Sequence, residues 1–150
     1  MSYLFYGMKE FNEDISNWNM SNVINLSYMF YECSTFDQSL NNWDISNVKY
    51  MSNMFFGCVT FNQPLDKWNT TNVIDMSSLF SNCTKFNQEL KNFNTTSVEN
   101  MFYMFYYAEN FNQSIDNWNV SNVRHMTNMF YGALNFNQPL NNWNISNLTN

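Results

Sequence analysis

Six phenylalanines, Phe11, Phe36, Phe61, Phe86, Phe111 and Phe136, stand twenty-five residues apart with no insertion or deletion between them. A fixed period of this length marks a stacked repeat architecture, in which function lies on a continuous face rather than in one pocket. The repeats occupy the whole chain, so the expected organisation is one domain over residues 1–150. It divides into a half-repeat 1–10, repeats 11–35, 36–60, 61–85, 86–110 and 111–135, and a partial repeat 136–150. Apolar residues make up 45% of the sequence, aromatics 19% and charged residues 12%. That balance supplies a sizeable core and argues against disorder, despite the thirty asparagines.

Written from Phe36, one period reads FDQSLNNWDISNVKYMSNMFFGCVT. Two periodicities lie inside it. Leu40, Trp43 and Ile45, with Trp43 and Ile45 two apart, predict a short strand. Val48, Met51, Met54, Phe55 and Cys58, three or four apart, predict a helix of roughly ten residues. A Ser or Thr stands between them in every copy (Ser21, Ser46, Thr71, Thr96, Ser121, Ser146), where it would cap the helix. Gly7, Gly57, Asn82 and Gly132 share a column just past the helical run, where a left-handed residue would end it. Glu32 and Tyr107 depart from that pattern.

The expected fold class is therefore α/β: a right-handed solenoid with a parallel strand ladder on one side and short helices on the other. Helices are wider than strands, so the strand side is expected to be concave. Trp18, Trp43, Trp68, Phe93, Trp118 and Trp143 would form a buried aromatic ladder. The asparagine column Asn22, Asn47, Asn72, Asn122 and Asn147, broken by Ser97, would satisfy backbone groups of the adjacent coil.

The chemistry of known enzyme classes is not legible here. There is no Gly-rich phosphate loop, no H-E-x-x-H and no G-x-S-x-G. His125 is the one histidine and reads as an exposed residue. Cys33, Cys58 and Cys83 are an odd set one period apart, without CxxC spacing, and read as small core residues. No catalytic, cofactor or metal site is expected. The net charge of -6 and the scattering of Lys and Arg exclude a nucleic-acid stripe. No stretch reads as a signal peptide or membrane span, which favours an intracellular or virion-associated setting over a secreted one, with no membrane insertion.

Two surface columns stand out. Tyr6, Tyr31, Phe56, Ser81, Tyr106 and Tyr131 follow the core phenylalanine of each predicted helix and would lie at its flank. Their five aromatics form the helix-side candidate for partner binding. Ser16, Asn41, Asp66, Lys91, Asp116 and Asn141 form the strand-side candidate, because residue type varies there while the core slots stay fixed. The sequence also spans six whole periods, and neither end carries a polar cap, so end-to-end self-association is a further expectation.

The run L-x-x-W-x-I followed by S-N-V-x-x-M-x-x-M-F-x-x-C, as in residues 40–58, resembles the repeat of BspA-like surface proteins, relatives of leucine-rich repeats. The resemblance covers all six periods. It implies a horseshoe-like or nearly straight solenoid that binds other macromolecules, and it carries no catalytic residues. The leading functional expectation is a non-enzymatic module for protein interaction or adhesion. The alternative is a structural component of a larger assembly, such as a virion or surface layer, joined through its ends.

Overall fold

The computed structural model describes residues 1–149, and its backbone corrects the expected fold class. Among these residues there is no helix and no strand longer than a single bridge. The sheet-like pairings are isolated parallel bridges joining Asn25 to Tyr50, Tyr50 to Asp75, Asp75 to Asn100 and Asn100 to His125. The chain is a stack of coils built from turns, not an α/β solenoid.

Residues 26–33 show what replaces the helix. Met29 N–H donates to Leu26 C=O, Tyr31 to Tyr28 and Cys33 to Phe30, closing three overlapping turns. Tyr28 and Glu32 have φ of +61° and +58°. A positive φ at the third residue of a turn is the type II signature. The alternate N–H groups point out of the coil: Leu26 donates to Tyr50 C=O, Tyr28 to Ser52, Phe30 to Met54 and Glu32 to Phe56. A helix over residues 23–33 would consume the Tyr28, Phe30 and Glu32 donors internally.

Ring spacing gives a second reason. Phe30, Phe55, Phe80, Phe105 and Phe130 stack with centroids 5.7, 5.8, 5.8 and 5.7 Å apart. Side-by-side helices would stand about 8–10 Å apart. A coil pitch that keeps the rings in contact leaves no width for a helix. Composition agrees, since Asn, Ser, Tyr and Phe are mediocre helix formers and Asn is at home in turns.

The predicted strand is also a turn, with Trp43 N–H donating to Leu40 C=O. The extended pairing instead falls on Tyr50, inside the predicted helix. The serine and threonine column caps nothing. Ser46 N–H donates to Asp44 Oδ1, and Ser21 donates to Asn19 Oδ1 through both backbone and hydroxyl. These are Asx turns, which compete with helix for the same backbone groups. The left-handed expectation holds at Gly7, Gly57, Asn82 and Gly132, and extends to Glu32 and Tyr107, but it shapes turns rather than helix ends. Without helices, the ground for a concave strand side is gone: the Trp68, Phe93 and Trp118 rings stand 6.4 and 6.3 Å apart, close to the spacing on the phenylalanine side.

The core runs the length of the stack. Phe30, Phe36, Phe55, Phe61, Phe80, Phe86, Phe105 and Phe111 are wholly buried, as are Leu40, Leu65 and Leu90. Trp43, Trp68, Phe93 and Trp118 are buried, while Trp18 and Trp143 at the two ends are partly so. The three cysteines are free and buried. Burial pushes the Cys33 thiol up to about 11, and raises the Cys58 and Cys83 thiols well above the ordinary cysteine range.

Asparagine holds the coils in register from outside. Asn47 and Asn72 donate through Nδ2 to the carbonyls of Ser21 and Ser46, Ser97 Oγ takes the same role toward Thr71, and Asn122 and Asn147 repeat it. A second ladder exchanges the roles of side chain and backbone: Asn12, Asp37, Asn62, Asn87 and Asn112 each accept, through Oδ1, the backbone N–H twenty-five residues later.

Candidate functional site

The turns at residues 28–32 and their equivalents push two side-chain columns outward, and both are rich in tyrosine. The expected column is present: Tyr6 stacks on Tyr31 and Tyr31 on Phe56, each with centroids 4.6 Å apart. Tyr106 stacks on Tyr131 at 5.4 Å. Ser81 interrupts the row and is buried.

Sequence reasoning missed the neighbouring column of Tyr3, Tyr28, Asn53, Ser78, Tyr103 and Asn128. Tyr3 and Tyr28 stack at 4.6 Å, and each is tilted toward its partner in the first column at 5.7 Å. Tyr103 meets Tyr106 at 4.7 Å, and Tyr107 meets Tyr106 and Tyr131 edge-on at 4.7 and 5.6 Å. The signal was available, because Y-x-F-Y occurs at Tyr3, Tyr28 and Tyr103. A helix also sets residues three apart side by side, so this column could have been found under either reading.

The outcome is a ridge with two aromatic patches. Tyr3, Tyr6, Tyr28, Tyr31 and Phe56 form one; Tyr103, Tyr106, Tyr107 and Tyr131 form the other. Between them Ser78 and Ser81 make a small-residue saddle, both buried. Tyr3, Tyr6 and Tyr131 are 56%, 49% and 56% exposed. Partial burial, then neighbouring Tyr3, raises the Tyr28 phenol above its usual range, and burial followed by the Glu32 carboxylate raises Tyr31. The phenols therefore stay neutral donors across physiological pH.

The strand-side column is brought together as well, but several members are occupied by the stack itself. Asn41 Oδ1 accepts from Lys67 N–H, and its Nδ2 donates to Asp66 Oδ1 at 2.8 Å. Asp116 accepts from Asn142 through backbone and side chain. Lys91 pairs with Glu89 at 2.6 Å, and both are mostly exposed. Such a pair contributes little to stability. Ser16 and Asn141 make no comparable link between coils.

Among the described residues no group of three or more His, Cys, Asp or Glu side chains could hold a metal, and no helix is long and apolar enough to cross a membrane. A family model described as "Mycoplasma protein of unknown function, DUF285" matches residues 1–76 and again residues 61–150. No curated protein and no solved structure matches.

Proposed function

We infer an interaction role from the tyrosine ridge of this chain, which belongs to the family described as Mycoplasma protein of unknown function, DUF285. The role is that of a non-enzymatic module that takes a protein partner along its tyrosine ridge. The supporting observation is the pair of stacked tyrosine patches flanking the buried serines Ser78 and Ser81. Tyrosine gives large contact area with little conformational entropy to lose, and its hydroxyl adapts to polar partners. A partner strand or helix seated on the saddle would meet aromatic rings on both sides.

The affiliation with BspA-like surface repeats, and the adhesive role it implies, belong to this reading. They rest on the repeat motif in residues 40–58. The strand-side column is the secondary candidate, with Asp66 and Lys91 as its exposed charges and Glu89 beside it as the partner of Lys91.

The test is capture of partners from the native source with the wild-type chain and with a Tyr31→Ser, Tyr106→Ser, Tyr131→Ser variant. Loss of a captured protein with an unchanged circular dichroism spectrum supports the ridge. Equal capture by both rejects it.

A further inference from the structure

We propose that the saddle at Ser78 and Ser81 receives an arginine side chain of the protein partner, its guanidinium sandwiched between the rings of Phe56 and Tyr106. This rests on the ridge reading and names the group that the partner presents there.

The saddle is one rung short of a continuous ring stack. Tyr6, Tyr31 and Phe56 stack with centroids 4.6 Å apart, and Tyr106 stacks on Tyr131 at 5.4 Å, but Ser81 stands in the rung between them. Among the described residues no ring contact spans the gap from Phe56 to Tyr106. Tyr103 and Tyr107 meet the Tyr106 ring at 62° and 83° and hold its tilt. Two coils separate Phe56 from Tyr106, about 10 Å at ordinary strand spacing. A planar group midway would lie about 5 Å from each ring, inside the range of both stacking and cation–π contact.

Charge selects a cation for that place. Residues 52–57, 77–82 and 102–107, which form the floor and walls, contain no Lys, Arg, His, Asp or Glu. Carboxylates stand on either side. The stem of Glu32 lies beside Gly57, next to Phe56: a Cβ there would be 3.4 Å from Glu32 Cγ. Asp75 belongs to the floor's own coil, where its Oδ1 accepts from Ser77 N–H at 2.9 Å and its Oδ2 is unspent. Neither carboxylate enters a salt bridge among the described residues. Their fields reach the ridge: burial, then Tyr3, then Asp75 raise the Tyr28 phenol, and burial, then Glu32, raise that of Tyr31. At the floor, Asn82 donates Nδ2 to Ser81 Oγ at 3.3 Å and keeps Oδ1 as an acceptor.

A guanidinium answers all of these features together. It is planar, so it lies flat between two rings while its N–H fork reaches carboxylate and amide oxygens. The ammonium of lysine is compact and strongly hydrated, and a neutral ring leaves the carboxylates without a counter-charge. Arginine is also the cation enriched at the centres of protein interfaces.

The test is an NMR titration of the isotope-labelled chain with glycine pentapeptides that carry a central arginine, lysine or phenylalanine. The arginine peptide should give saturable amide shifts centred on residues 78–82, and the other two should bind at least about threefold more weakly. Glu32→Gln should weaken arginine binding by about two- to fivefold, the worth of one exposed charge pair. Glu13→Gln, outside the ridge columns, should not weaken it. Ser81→Tyr fills the empty rung with the residue that the column already carries at Tyr31, Tyr106 and Tyr131. It should abolish the shifts with an unchanged circular dichroism spectrum. No saturable shift, equal binding of the phenylalanine peptide, equal effects of Glu32→Gln and Glu13→Gln, or arginine binding that survives Ser81→Tyr would overturn the proposal. In partner capture, loss with the Tyr31→Ser, Tyr106→Ser, Tyr131→Ser variant but not with Ser81→Tyr would reject the arginine and keep the ridge. Capture retained by both would reject the ridge itself.

Discussion

The indole Nε1–H of Trp68 donates to the backbone carbonyl of Leu40 at 2.9 Å, reaching back twenty-eight residues into the preceding coil. Trp43, Trp118 and Trp143 repeat the bond to Ile15, Leu90 and Ile115. The tryptophan column therefore links coils by a polar contact inside the apolar core, which is the form that a buried indole requires. Phe93 occupies the same column without a donor, so the ring and the hydrogen bond separate as contributions.

Trp68→Phe should cost about 0.5–1.5 kcal/mol, the net worth of one hydrogen bond, because Leu40 C=O still accepts from Trp43 N–H. Trp68→Ala should cost about 3–5 kcal/mol through the cavity it leaves. Urea denaturation of both variants checks the difference. Equal losses would show that the indole bond rather than the packing dominates.

The left-handed column offers a test of backbone strain. Glu32 holds φ of +58°. Glu32→Gly should be neutral or stabilising by up to about 1 kcal/mol, since glycine removes the left-handed penalty but loses more entropy on folding. Gly132→Ala should destabilise more than Gly7→Ala. A Cβ at Gly132 would lie 2.6 Å from the Tyr107 ring, whereas one at Gly7 meets nothing within 4 Å. Thermal melting of the pair reads the order directly.

The thiols report on the core. Cys33, Cys58 and Cys83 are buried, and each donates from Sγ to a phenylalanine carbonyl of the previous coil. With their pKa values raised, they should resist alkylation in the native protein at neutral pH and react fully in denaturant. Mass spectrometry after iodoacetamide treatment counts the adducts. Rapid labelling of Cys58 in the native state would contradict the packing.

Acid sensitivity should come from the Asx turns. Hydrogen bonds from the Ser46 hydroxyl and N–H hold Asp44 below the ordinary aspartate range, and Ser16 does the same for Asp14. A carboxylate with a lowered folded pKa supports the fold above the ordinary value of about 3.9, and that support is lost as pH falls through the lowered value. Asp14→Asn with Asp44→Asn should keep the turns, as Asn19 does, and flatten the acid limb of a stability-against-pH curve. An unchanged limb would assign the acid sensitivity elsewhere.

The twenty-five-residue period, the buried Phe and Trp columns, the register role of Asn47 and Asn72, and the left-handed glycines were legible in the sequence, because each follows from period and side-chain chemistry. The secondary structure was not. Met51, Met54, Phe55 and Cys58 have helical spacing because the turns that bend the coil also return side chains to one side every three or four residues. Periodicity alone does not separate the two. Positive φ at Tyr28 and Tyr103, where no glycine signals it, hid the turns.

The most direct test is a through-hydrogen-bond scalar coupling measured by NMR on the isotope-labelled chain, from the amide nitrogen of Phe55. The coil stack predicts a coupling to the carbonyl carbon of Leu79 in the next coil, where the N···O distance is 3.1 Å. A coupling to the carbonyl of Met51, four residues earlier, would restore the helix and contradict the account.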